Sequence, residues 1–301
     1  MPITQLSNIP LHLRGMYDAI TVQSKTQPDF QKHIGHSINT KQLYETMALV
    51  AGIGNAKQKE DGGSTHTETP RLAYKKAFRP IISAIGVDYT PRAMKNDQYG
   101  YLTTSAIDEA IGVAHYKQRQ IVGAGLLINA TSASYPCVDG VALASASHPY
   151  DGGTFTNIST AATLSVYSLE TMLQDRWAHK DLKGGQWTDM GQSMLIVPPA
   201  LQFRALRIAK SQGMPGSMNQ DANQVGQFLT EVVVNPYLTN TTAYFLVPTG
   251  ANNKIYWLEG QAMQFAEDTP DPRTGVKVRL AEWDYTPFVM LAQGTQYNAG
   301  A

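Results

Sequence analysis

Covalent staples are missing from this 301-residue sequence: it contains one cysteine, Cys137, so no disulfide can close within the chain, and no Cys/His group has the spacing of a structural zinc site. Net charge is absent too, because 24 Lys plus Arg balance 24 Asp plus Glu. No global basic field then draws the chain to nucleic acid or to an anionic membrane. No window approaches the roughly 18 apolar residues of a membrane-spanning helix, and Met1-Pro-Ile-Thr-Gln-Leu-Ser-Asn8 lacks the basic-then-apolar pattern of an export signal. The expectation is a soluble chain without a signal peptide, working in a reducing compartment. Internal repeats and low-complexity linkers are also missing. What is there, 43% apolar and 16% charged residues, supplies core for one or two domains and excludes wholesale disorder.

The signatures of small-molecule chemistry are equally sparse. Gly123-Ala-Gly125 lacks the third glycine, preceding strand and downstream acid of a dinucleotide fingerprint, and Gly184-Gly185 lacks the Lys-Ser/Thr of a phosphate loop. No Gly-x-Ser-x-Gly elbow occurs. Asp108 and Glu109 are neighbours on a helical pattern and face different directions, so they form no carboxylate dyad. His148, Tyr150 and Asp151 suggest an acid/base pair or metal ligands, but His-Pro-Tyr-Asp-Gly-Gly is also the composition of a tight turn, and no distant partner for them is identifiable. The turn is the favoured reading; a hydrolase using His148 and Asp151 is the remote alternative. No catalytic residue, cofactor or metal is expected.

The organisation of the chain points elsewhere. Residues 52–71 form a polar stretch with one large apolar group, Ile53, that cannot bury itself in its own domain. A β-like run follows from Leu72 through Tyr74, Phe78, Ile81 and Ile82 to Val87 and Tyr89, so the reading is a long arm or hairpin reaching outward. Arg71, Lys75, Lys76 and Arg79 make the one local basic cluster, interleaved with Tyr74 and Phe78; a solvated strand face or a subunit interface outweighs nucleic-acid contact there. The arm carries both signs, Lys57 and Lys59 against Glu60, Asp61 and Glu68, which suits ion pairing between subunits. Thr90-Pro91 reads as a helix start. Apolar and small residues at steps of three and four from Ile107 to Gly125 predict a long amphipathic helix, and Leu11 to Ile20 a short one. Short strands and turns follow Asn129, with helical patterns at 169–177 and 199–211. Strands are predicted at 254–258, 261–265 and 276–285, the last two separated by the turn-forming segment Glu267-Asp-Thr-Pro-Asp-Pro-Arg-Thr-Gly275.

Several segments, in order, carry a family resemblance: Tyr89-Thr-Pro-Arg-Ala-Met-Lys-Asn-Asp-Gln-Tyr-Gly100, Ser145-Ala-Ser-His-Pro-Tyr-Asp-Gly-Gly-Thr-Phe-Thr-Asn157, Leu195-Ile-Val-Pro-Pro-Ala-Leu201, Val232-Val-Val-Asn-Pro-Tyr-Leu238 and Ala243-Tyr-Phe-Leu-Val-Pro248. They resemble the major capsid proteins of tailed bacteriophages, especially the Mu-like major head subunit group. The resemblance implies an α+β fold of the Hong Kong 97 phage capsid type. Its parts would be an N-terminal arm at 1–51, an extended β-hairpin loop at 52–90, a peripheral domain with a spine helix at 91–129 and 251–301, and an axial domain at 130–250.

It further implies a structural protein that self-assembles into the hexamers and pentamers of an icosahedral shell around double-stranded DNA. The DNA would be contacted non-specifically, and the shell assembled in the host bacterial cytoplasm. The partners would be other copies, a separate scaffolding protein, a portal and a decoration protein, with no membrane. Candidate intersubunit residues are Lys57, Lys59, Glu60, Asp61, Glu68 and Arg71 on the arm, and Glu267, Asp268, Asp271 and Arg273 on the later loop. An encapsulin-like compartment shell, built on the same fold, is the alternative.

Overall fold

In the computed structural model the residues described are 34–52, 56–96, 108, 112, 127–132, 136–188, 191–213, 221–261, 264–267, 273 and 275–301. Two sheets dominate them. The strands, in chain order, are β1 (His36–Asn39), β2 (Glu45–Ala51), β3 (Arg71–Phe78), β4 (Ile81–Tyr89), β5 (His148–Tyr150), β6 (Gly153–Phe155), β7 (Ser193–Val197), β8 (Leu229–Val234), β9 (Tyr244–Pro248), β10 (Ile255–Glu259), β11 (Gln264–Glu267), β12 (Lys277–Val289) and β13 (Gln296–Asn298). Three α-helices accompany them: α1 (Pro91–Lys95), α2 (Val166–Trp177) and α3 (Gln202–Lys210).

The first sheet is organised by β12. One edge of this thirteen-residue strand takes β10 and β11 in turn, antiparallel, so that β10 to β12 is one long hairpin. Between the Glu259↔Tyr285 and Gln264↔Glu282 pairs, five residue steps on one side oppose three on the other. Gly260 and Gln261 bond to the Asp284 backbone across this irregularity. The other edge of β12 pairs β4 over nine residues, from Lys277↔Tyr89 to Tyr285↔Ile81, and β1 lies parallel to β10. Gly35 lets the chain enter β1: a Cβ there would lie 2.6 Å from the Ile255 carbonyl oxygen and 3.0 Å from the Trp257 ring.

The second sheet has the order β13-β9-β7-β8, with β7 and β8 parallel and the other pairs antiparallel. Every residue of β7 and β9 is buried, as expected of strands covered on both faces. Alternation then divides the core. Leu195, Val197, Tyr244 and Leu246 meet Leu169, Met172 and Leu173 of α2 and Ala205 and Ile208 of α3. Met194, Ile196, Phe245 and Val247 turn the other way, into one cluster with Trp257, Trp283 and Tyr285 of the first sheet. That shared cluster holds the two sheets together.

Local chemistry sets the helix ends: the start predicted at Thr90-Pro91 is found, and the helix expected at 169–177 begins earlier, at Val166. Thr90 caps α1, its hydroxyl accepting from the Ala93 amide at 3.2 Å, with Pro91 in the first turn. Ser165 and Ser168 cap α2 reciprocally, each hydroxyl accepting from the other's amide. The 199–211 pattern resolves into a single 3-10 turn at Pro199–Leu201 followed by α3. The run from Leu72 to Tyr89 is two strands: it breaks at Arg79-Pro80, after which β4 leaves β3 for β12. The helix expected over 107–125 is represented by Asp108 and Gly112, both helical, and its other residues, like the helix expected at 11–20, lie outside the described residues.

Candidate interaction surface

The polar segment reaches outward at the end of a hairpin. β2 and β3 pair antiparallel from Glu45↔Phe78 to Ala51↔Arg71, and residues 56–70 continue beyond them as a stretch exposed at every position but Glu68, with a turn at Asp61 and Gly62. Gly62 takes φ +76, a conformation that a side chain would strain. The hairpin begins within 1–51, seven residues before the expected start of the extended loop at 52.

The two faces of this hairpin differ. Met47, Leu49 and Ala51 of β2, with Tyr74, Lys76 and Phe78 of β3, point inward, and Leu49 and Phe78 join Val138, Leu258 and Phe288 in a small core. Phe78 stacks on Phe288 at 4.7 Å between ring centroids. The outward face carries Thr46, Ala48, Val50, Leu72, Lys75 and Ala77, all exposed. Val50 and Leu72 are direct cross-strand neighbours, 58% and 55% exposed, forming an apolar patch just below the tip. Between the Leu49↔Tyr74 and Val50↔Leu72 pairs, β3 contains one extra residue, Ala73. This bulge reverses the alternation, so Arg71 returns to the inward face with Tyr74 and Lys76.

Arg71, Tyr74 and Lys76, with Glu68 before the strand, all reach the same chain. The Arg71 guanidinium meets Asp151 at 2.6 Å and Glu68 meets Lys183 at 3.6 Å. The Tyr74 hydroxyl donates to the Pro149 carbonyl at 3.4 Å, and Lys76 Nζ donates to the carbonyls of Pro136 and Cys137 at 3.2 and 3.3 Å. Burial lowers the Lys76 ammonium from its ordinary value, partly countered by nearby Asp139. Glu68 and Arg71 are therefore engaged within the subunit. Lys57, Lys59, Glu60 and Asp61 at the tip are exposed. Of the later group, Glu267 closes β11 and Arg273 is exposed at the end of that hairpin, while Asp268 and Asp271 lie outside the described residues.

His148 and Asp151 do not converge. Asp151 sits at the turn of the β5–β6 hairpin, half exposed and paired with Arg71, whereas His148 is fully buried. The partner of His148 is Asp139, nine residues earlier, at 2.9 Å from Nδ1; Nε2 lies 3.3 Å from the Leu143 carbonyl. Sequence reading missed Asp139 because only the Cys137 to Leu143 turn brings it under β5. Phe155 is sandwiched between His148 and a second buried histidine, His179, at 5.2 and 4.8 Å.

His179 Nδ1 accepts from the Gly294 amide at 3.0 Å, which fixes the proton on Nε2. With the Gln296 amide oriented to fit its neighbours, its oxygen accepts that proton at 2.9 Å while its nitrogen donates to Asn157 and Ser159. Burial, then the neighbouring His148 and the Arg176 guanidinium, lower the His179 pKa to about 4. This is a structural junction tying α2, β5, β6 and β13 together. Cys137 is buried too, and burial pushes its thiol well up, which makes it a poor nucleophile.

Elsewhere the described surface presents further apolar side chains, among them Leu43 and Tyr44 before β2. Ile81, Ile82 and Ile85 of β4 line an open groove of about 470 Å³ with Trp283 and Gly112. Phe203 at the start of α3 and Tyr167 at the start of α2 are 76% and 67% exposed. Such large exposed side chains mark contact surfaces when they gather in patches.

A family model described as "Phage capsid protein" matches residues 79–298. No curated protein matches the sequence. Among solved structures, a virus-like particle from Pyrococcus furiosus aligns with a TM-score of 0.55 at 10% identity, covering 96% of this chain and 100% of that one. Mycobacterium phage Adephagia aligns at 0.58 and 10% identity, over 91% of each chain. The mature capsid of bacteriophage PhiM1 aligns at 0.56 and 11% identity, over 91% of this chain and 87% of that one. At these identities the likeness is one of fold.

Proposed function

The chain belongs to the phage capsid protein family as a major capsid protein of the Hong Kong 97 type fold, and from that premise we propose that its extended hairpin is the element that ties subunits into a closed icosahedral shell. The observation that carries this reading is the two-sided hairpin: its inner face is spent on its own chain, while Val50, Leu72 and the exposed charges of the tip face away from it. An apolar pair beside both signs of charge suits a neighbouring copy, which would bury the first and pair the second.

Lys57, Lys59, Glu60 and Asp61 are the intersubunit residues of this hairpin, and Glu267, Asp268, Asp271 and Arg273 those of the β11–β12 tip. Glu68 and Arg71 support the contact from within the subunit. Hexamers and pentamers form around residues 130–250, which hold the second sheet apart from its edge strand β13, together with α2 and α3. The groups 1–51 and 52–90 act as arm and extended loop, and 91–129 with 251–301 as the peripheral domain. The Mu-like group, whose segments the sequence resembles, is the subgroup assigned. The assembled particle encloses double-stranded DNA, with a scaffolding protein, portal and decoration protein as partners, and assembly in the host cytoplasm.

The virus-like particle alignment keeps the encapsulin-like shell as the second reading, because fold likeness alone does not separate the two. The family match favours the phage. Electron microscopy of the purified protein, alone and with its genomic neighbours, tests the proposal: closed shells or capsomer rings are expected, and a monomer under both conditions overturns it. Deleting residues 55–68 is expected to leave a folded subunit that fails to close shells, and normal particles from that deletion would refute the role of the arm.

A further inference from the structure

The hairpin is attached to its own subunit by two kinds of contact that differ in strength along its length. Near the root, Phe78 and Leu49 are buried against Phe288 and Leu258, and Lys76 is held by two carbonyls. Toward the tip Ala51 is still buried, but the side chains of the returning strand and of the segment before it attach through charge. The Arg71–Asp151 pair has side chains 60% and 48% exposed, and Glu68–Lys183 is more sheltered but longer, at 3.6 Å. Exposed ion pairs are individually weak and screened by salt. The boundary between the two regimes falls at Ala73, the bulge residue, where one unpaired residue interrupts the β2–β3 ladder.

The partners of the charged contacts are themselves held in place. Asp151 and Lys183 lie on adjacent turns joined by the Asp151 amide donating to the Leu182 carbonyl at 3.0 Å. The Asp181 carboxylate accepts from the amides of Lys183 and Gly185, and Gly184 takes φ +80 beneath the Tyr150 ring. One acid and one base are thus presented side by side on a braced platform. The hairpin answers them with a base and an acid three residues apart, Arg71 and Glu68.

We propose that Glu68–Lys183 and Arg71–Asp151 form a salt-sensitive intrachain latch that sets the direction of the hairpin tip in the unassembled subunit, with the bulge at Ala73 as its hinge. Its purpose rests on the assembly reading above; its geometry does not. With the latch closed, the tip is held in a narrow range of directions. With it open, residues 56–72 swing about the bulge while 74–78 stay packed.

Spin labels on the full-length chain test this. Cysteines are introduced at Ser64 and Thr188, both exposed, in a Cys137→Ala background, and the labelled chain is diluted with excess unlabelled chain so that intrachain pairs dominate. Electron-electron resonance is expected to give one narrow distance distribution at low salt. That distribution should broaden near 1 M salt, where the Debye length is about 3 Å. Asp151→Arg should broaden it at low salt as well, and the double exchange Arg71→Asp with Asp151→Arg should restore it.

A distribution that ignores both salt and Asp151→Arg overturns the latch. If Asp151→Arg does not fold, as judged by circular dichroism, the salt series on the otherwise unaltered chain decides alone. Particle formation by microscopy is scored separately: shells formed by a chain with a salt-independent distance refute the latch only, and a salt-dependent distance in a chain that never assembles refutes the assembly reading only.

Discussion

At the scale of single residues, the buried polar groups behave as structure. His179 is held neutral by its burial first, with the Arg176 guanidinium nearby and Nδ1 accepting from the Gly294 amide. Its ordinary pKa of 6.5 falls to about 4 in the fold. Below pH 6.5 the unfolded chain takes up a proton here that the folded chain refuses. The contribution is therefore complete above pH 6.5 and is lost as pH falls toward 4, by about 3 kcal/mol at the limit. Urea midpoints of the soluble subunit should fall over that interval, and His179→Gln should flatten this part of the profile. A midpoint independent of pH in the unaltered chain would contradict the assignment. The His148–Asp139 pair shows what was hidden in the sequence. The histidine and its neighbours were visible as a turn, but a carboxylate nine residues away became its partner only through the path of the Cys137–Leu143 segment.

At the scale of elements, one residue decides what the hairpin can do. Without Ala73, strict alternation would turn Arg71 outward and Leu72 inward, exchanging an ion pair with Asp151 for a leucine against a polar platform. Deleting Ala73 should therefore keep the root formed and release the outer part. In hydrogen-exchange mass spectrometry, peptides covering 66–72 should lose protection while those covering 74–78 keep theirs. Equal protection of both stretches would show that the bulge has no such role. The strand-like run Leu72 to Tyr89 was legible as β structure, yet its break at Arg79-Pro80 and its change of partner from β2 to β12 were not, because partner choice depends on residues two hundred positions away. The turn at 267–275 was legible from its prolines and glycine; the two-residue irregularity opposite Asp284, which divides β10 from β11, carried no comparable signal.

At the scale of the whole molecule, the subunit joins two sheets through one shared core and leaves a hairpin outside it, an arrangement suited to a part rather than a free-standing catalyst. Replacing Val50 and Leu72 by serine should leave folding nearly unchanged, since both are more than half exposed. Shell yield by sedimentation should drop, and it should drop more at high salt, where the charged contacts at the tip are screened. Undiminished yield would place the subunit contacts elsewhere. The sequence by itself determined the outward polar segment, the helix start at Thr90-Pro91 and the resemblance to capsid proteins, because these rest on local composition, turn chemistry and ordered motifs. Only the tertiary structure decided which charges are available to a neighbour. Glu68 and Arg71 looked like Lys57 and Asp61 in sequence, but the fold places Lys183 and Asp151 opposite them. Charge pairing depends on which surfaces the chain brings within a few ångströms, and that distance is set by the path of the backbone, not by spacing along it.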